Sequence, residues 1–141
     1  MPEFHFEYPV EVRYGDLDPQ GHVNNANFLT FLEQARINYI VELGLFQKSD
    51  SFMNIGIIIA EAKVTFLSPI LFGTKVIVKL GVTRLGMKSM NMEYLMIDGM
   101  SGQVLARAET VLVTFDYQKN ASILIPELWR NKIRSFEQLP E

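Results

Sequence analysis

The sequence contains no cysteine, which removes disulfides, thiolate catalysis, cysteine-ligated zinc and iron–sulfur clusters together. It also lacks the basic segment and unbroken apolar run of a signal peptide at its start, MPEFHFEYPV, and no window approaches the ~18 apolar residues of a membrane span. A cytoplasmic protein without membrane insertion is the expectation. An excess of positive charge is missing too: the formal net charge is −3, without the electrostatic footprint of a general nucleic-acid binder. Any polyanionic ligand must then be met by a local cluster of basic residues. Repeats, linkers and low-complexity segments are absent.

What is present suits one globular domain over residues 1–141. Apolar residues make up 48% and charged residues 21% of the chain, proportions of a protein able to bury its own core. Phe4, Phe6, Tyr8, Val10, Val12 and Tyr14 alternate with His5, Glu7, Pro9, Glu11 and Arg13, the period of a strand with one buried face. Pro9 points to an edge position or a bulge. Turn formers then run from Gly15 to Gly21. Asn24 and Asn25 follow as helix-capping residues. Phe28, Phe31, Leu32, Ala35, Tyr39 and Leu43 recur at helical spacing and Gly44 supplies a stop, predicting a helix over 25–43.

Residues 45–56 have no period and read as a loop with one helical turn at most. From Ile57 the chain reads as successive strands, with a hairpin turn at Asp98–Gly102 leading into Gln103–Tyr117. Pro126 opens a last helix over 127–137. The order of strand, long helix and about four antiparallel strands argues for an α+β fold with the helix packed on one sheet.

The densest polar cluster, Tyr14-Gly-Asp-Leu-Asp-Pro-Gln-Gly-His-Val-Asn-Asn25, precedes the only long helix, whose unpaired N–H groups favour negative charge. A carboxylate beside such donors can act as base or nucleophile while the donors hold an oxyanion, the arrangement acyl transfer requires. Asp18 and the Asn25 N–H form the candidate pair. The alternative is purely architectural: Asp16 and Asp18 shape a turn and His22 braces it.

The run GDLDPQGHVNNANFLTFLEQAR resembles the signature of the 4-hydroxybenzoyl-CoA thioesterase-like family of hotdog-fold proteins. The later strand order agrees, so the resemblance spans essentially the whole chain. It implies an antiparallel sheet of about five strands wrapped around one long helix. The implied activity is hydrolysis of acyl-CoA without metal or redox cofactor. Assembly as a homodimer with joined sheets, or a tetramer, is implied as well, with the site at the subunit interface. By the same resemblance Asp18 is the catalytic carboxylate, as general base or nucleophile, and Asn25 supplies the oxyanion N–H. His22 either positions the thioester or braces the loop.

The sub-motif His22-Val23-Asn24-Asn25 is similar to long-chain acyl-CoA and plant acyl-ACP thioesterases, which favours medium- to long-chain aliphatic acyl groups over aromatic ones. The cysteine proposed for the plant enzymes cannot act here. Acyl-ACP hydrolysis is the alternative activity, and a non-catalytic acyl-CoA-binding module the non-enzymatic one.

Arg84, Lys88 and Ser89 offer two cations and a hydroxyl around a turn, suited to the phosphates of CoA; a solvated hairpin tip is the other reading. Phe28, Phe31, Phe52 and Met53 are candidates for the acyl pocket, although such residues also serve as ordinary core. Glu33 and Arg36, three apart on the helix, are either a second carboxylate and its tuner or, the plainer reading, a salt bridge, and Asp16 reads as a turn former.

Overall fold

The computed structural model describes residues 3–46 and 56–140. Strand β1 (Phe6–Glu11) leads through a single 3-10 turn to helix α1 (Asn25–Glu42); strands β2 (Gly56–Phe66), β3 (Lys75–Leu85), β4 (Ser89–Asp98) and β5 (Val104–Asp116) follow, then the two-residue β6 (Ala121–Ser122) and helix α2 (Glu127–Glu137). All strand pairs are antiparallel and the order is β1-β3-β4-β5-β2, with β6 beside β5. The long helix is held by a curved sheet, the hotdog arrangement. β6 has too few residues to leave a periodic trace in the sequence.

Alternation builds the inner face. Val76, Val78, Leu80 and Val82 of β3 and Met90, Met92, Tyr94 and Met96 of β4 are buried against Phe28, Leu32, Ala35 and Tyr39 of α1. β1 is shorter than its alternation predicts. Val10 and Val12 are buried, but Tyr14 is 83% exposed because the chain has already turned into the 3-10 segment Tyr14–Asp16. Pro9 lies on an edge strand, as its missing N–H requires. α1 ends one residue before the expected limit: Leu43 caps it, and Gly44 takes the left-handed conformation (φ 74°) that ends helices.

One polar cluster ties the last helix to everything else. The Glu137 carboxylate accepts from Tyr39 Oη at 2.6 Å, from the Val82 N–H at 3.1 Å and lies 3.1 Å from His5 Nδ1. Val82 is two residues beyond the end of the β1–β3 register, at Leu80, so the carboxylate takes over the ladder where β1 stops. Burial and this neighbouring carboxylate hold the Tyr39 hydroxyl protonated far above its usual range. Gly81 leaves the space: a Cβ there would lie 2.7 Å from Glu137 Oε2.

Candidate active site

The loop between β1 and α1 is organised from its buried end. Asp16 is only 1% exposed; its carboxylate accepts from the Arg13 N–H at 2.8 Å and from Arg13 Nη2 at 2.9 Å. Its carbonyl receives the Asn24 N–H at 2.9 Å and Asn27 Nδ2 at 3.0 Å. Asp16 therefore pins both ends of the loop to the helix start. The Arg13 guanidinium holds the Asp16 carboxyl below the usual carboxylate range, against the opposing effect of burial.

A depressed folded value means that the stabilisation is complete above the unfolded aspartate value of about 3.9 and is lost as pH falls below it. Asp16→Asn should cost about 1–3 kcal/mol at pH 7 and flatten the acid limb of the stability curve below about pH 4. Unfolding titrations from pH 7 downward check this, and an acid limb as steep as that of the wild type would contradict it.

Within that frame, residues 18–22 close into a tight hairpin. The Asp18 N–H donates to the His22 carbonyl at 2.8 Å and the Gly21 N–H to the Asp18 carbonyl at 2.9 Å, with Gly21 at φ 81°. Asp18 Oδ1 accepts from the Gln20 N–H at 2.9 Å and the His22 N–H at 3.3 Å, while Oδ2 has no protein donor among the described residues. One oxygen is anchored and the other is free to react. His22 bridges to Leu71 through its backbone, and its imidazole has no hydrogen-bond partner among the described residues.

Asn24 caps α1, its Oδ1 accepting from the Ala26 N–H at 2.9 Å. The Asn25 N–H, in the first helical turn, has no acceptor among the described residues. Asp18, His22 and Asn25 line one open cleft of about 480 Å³ with Phe28, Phe66 and Pro69. Phe28 stands edge-on to Phe66, with centroids 4.9 Å apart, and supplies an apolar wall. A free carboxylate oxygen, a free helix-terminal N–H and that wall can hold an acyl carbonyl and attack it.

The other candidates divide. Phe31 is core: it borders a separate depression beside Arg13 and Glu33 and is not part of this cleft. The i to i+3 step from Phe28 turns it toward the β1 side of the helix. Phe52 and Met53 lie outside the described residues. Arg84, Lys88 and Ser89 occupy the β3–β4 turn at the far end of the sheet. The register Glu11–Lys75 puts the Asp18 loop near the start of β3, and the strand from Lys75 to Leu85 spans roughly 33 Å. One chain does not bring the two together. That turn is braced by Arg130, missed in the sequence, whose Nη2 donates to the Gly86 carbonyl at 2.6 Å.

The salt bridge read into Glu33 and Arg36 does not form. Arg36 turns inward and donates to Tyr94 Oη at 3.1 Å, and Glu33 stays exposed.

A family model described as the thioesterase-like superfamily matches residues 12–133. The chain belongs to the thioesterase-like superfamily. This thioesterase is 35% identical to a thioesterase from Thermus thermophilus whose crystal structure is complexed with coenzyme A and Zn; the match covers 99% of this chain and all of that one, with a TM-score of 0.83. It is 28% identical over 129 residues to the long-chain acyl-CoA thioesterase FadM of Escherichia coli K12, covering 88% of this chain and 93% of FadM. It is 26% identical over 136 residues to the chloroplastic acyl-acyl carrier protein thioesterase ATL3 of Arabidopsis thaliana, covering 96% of this chain and 70% of ATL3. No described helix of the thioesterase is long and apolar enough to cross a membrane.

Proposed function

We propose that the protein hydrolyses medium- to long-chain fatty acyl-CoA to the free acid and CoA, with Asp18 as the reacting carboxylate. The observation that carries this reading is that Asp18, whose Oδ2 has no donor among the described residues, lines the same cleft as Asn25, whose N–H has no acceptor among them. The thioester carbonyl oxygen points at that N–H, where the helix terminus stabilises the negative charge of the tetrahedral intermediate. Asp18 either takes a proton from an attacking water or adds to the carbonyl carbon itself, giving an anhydride that water opens. On both routes the C–S bond breaks, one water is consumed to give the free acid and leave the Asp18 carboxylate restored, and the thiolate leaves to be protonated as CoA. His22 borders the thioester. The Phe28–Phe66 wall suits an aliphatic chain, and the likeness to FadM supports the same substrate class.

CoA binding brings in a second copy of the chain. Among the described residues β2 pairs with β5 alone, which leaves its outer edge for pairing with a second copy. Antiparallel pairing of two β2 strands about a two-fold axis sets Gly56 of one copy beside Phe66 of the other. The turn holding Arg84, Lys88 and Ser89 lies at the Gly56 end, because Lys88 meets Thr114 and Phe115 meets Gly56. In such a dimer the cations of one copy arrive beside the Asp18 cleft of the other and face the CoA phosphates.

Replacing Arg84 and Lys88 together by Ala should therefore raise KM for acyl-CoA more than it lowers kcat. Steady-state kinetics at several salt concentrations check this, and an unchanged KM removes the assignment. The likeness to ATL3 favours acyl-ACP as the second reading. Turnover on matched acyl-CoA and acyl-ACP substrates decides between them: a higher kcat/KM for the CoA thioester is expected, and a preference for the carrier protein overturns the choice.

A further inference from the structure

The negative charge that forms on the thioester oxygen meets one backbone donor at the start of α1. The Asn24 N–H is taken by the Asp16 carbonyl at 2.9 Å, the Ala26 N–H by Asn24 Oδ1 at 2.9 Å and the Asn27 N–H by the Asn24 carbonyl at 2.8 Å. Of the N–H groups of residues 24–27, that of Asn25 alone has no acceptor among the described residues. A tetrahedral oxyanion is held best by more than one such preorganised donor.

The other wall of the cleft is the segment that follows β2. Phe66, Leu67, Ser68 and Pro69 all line the cleft with Asp18 and Asn25, and among these four only Ser68 has a polar side chain. Two contacts set this wall beside the Asp18 loop: the Val23 N–H donates to the Ile70 carbonyl at 2.8 Å, and His22 pairs antiparallel with Leu71. From that pairing, the steps from Leu71 back to Ser68 run alongside those from His22 on to Asn25.

Ser68 is fixed in both backbone and side chain. The Leu67 and Ser68 N–H groups both donate to the Leu105 carbonyl, at 3.0 and 3.1 Å, and the following Pro69 confines Ser68 to extended backbone. Gln103 Nε2 donates to Ser68 Oγ at 3.2 Å. Gln103 is itself held, its N–H by Ser101 Oγ at 3.2 Å and its carbonyl by the Asp98 N–H at 2.9 Å. A hydroxyl that accepts from an amide keeps its own hydrogen to give, and that of Ser68 has no acceptor among the described residues.

Resting on the proposed function, we propose that the Ser68 hydroxyl is a catalytic group, the second donor to the thioester oxygen beside the Asn25 N–H. When Asp18 or its water adds to the carbonyl carbon, the π pair of the C=O bond moves onto oxygen, where the two donors hold it. Its return breaks the C–S bond and expels the thiolate, and Ser68 keeps its proton throughout. Gln103 is a positioning residue that aims the hydroxyl. Donors fixed in advance favour the oxyanion over the neutral carbonyl, so Ser68 acts on kcat and not on KM.

The test measures thiol release from dodecanoyl-CoA by the wild-type protein, Ser68→Ala and Ser68→Thr. Ser68→Ala should lower kcat by about 10- to 10²-fold, the lower part of the range for an oxyanion donor because water enters an open cleft. KM should change little. Ser68→Thr, which keeps a hydroxyl at the same place, should recover most of the rate. Near-native kcat in Ser68→Ala overturns the proposal and leaves the thioesterase reading intact. So does a raised KM with unchanged kcat, which puts Ser68 on the ground-state substrate, and so does a threonine variant as slow as the alanine one. A wild type that releases no thiol overturns the proposed function and this inference with it.

Discussion

Asp18→Asn should lower kcat by ~10²–10⁴, the range of a positioned acid–base group, with little change in melting temperature. Asparagine keeps an Oδ1 able to accept the Gln20 and His22 N–H groups that fix the hairpin. The substitution therefore spares the loop and removes the free Oδ2, the oxygen that attacks or deprotonates. The Asn25 N–H stays in place, so a residual rate above the uncatalysed one survives. Asp16→Asn makes an informative companion. It removes the charge of a buried carboxylate paired with the exposed Arg13 and lowers stability, yet folded Asp16→Asn should lose far less turnover because Asp16 does not line the cleft. Near-native turnover in Asp18→Asn, or greater loss in Asp16→Asn, would contradict the mechanism.

Glu137→Ala should destabilise the fold by about 3 kcal/mol. The Tyr39 hydroxyl and the Val82 N–H both lose their acceptor in a buried setting, at about 1–3 kcal/mol each, partly offset wherever water reaches the vacated site. For a chain of this length the melting temperature should fall on the order of 10 °C. Catalysis by the folded fraction at low temperature should change little, because the cluster lies at the far end of the sheet from Asp18. Thermal unfolding with kinetics below the transition checks both parts. A shift of less than about 2 °C would show that α2 is held by its apolar contacts, Trp129 and Ile133, and not by this carboxylate.

The contrast between Asp18 and Glu137 explains what was legible in the sequence. Asp18, His22 and Asn25 are neighbours along the chain, and the hydrogen bonds of Asp18 close within four residues, so a local motif was enough to gather them. Glu137 meets partners 55, 98 and 132 residues away, and nothing local marks it. Strand and helix periods gave the sheet and α1, because burial on one face imposes them. They did not tell which side of α1 borders the cleft. Phe28 and Phe31 look equivalent at helical spacing, and only packing against Phe66 separates them. Arg36 misled for a related reason: its i to i+3 spacing from Glu33 is that of a surface pair, whereas the three-dimensional neighbour that draws it inward is Tyr94, 58 residues away. Arg84 and Lys88 were legible as a basic turn, but their distance from Asp18 within one chain depends on strand register.

The most direct measurement of the central claim is release of free thiol from a series of straight-chain and aromatic acyl-CoA substrates by the wild-type protein. The account predicts catalytic, multiple-turnover release of CoA from medium- and long-chain thioesters, stoichiometric with free acid and faster than from the aromatic ones. Tight binding of acyl-CoA with no thiol released by the wild-type protein would contradict it and leave a binding module in place of an enzyme.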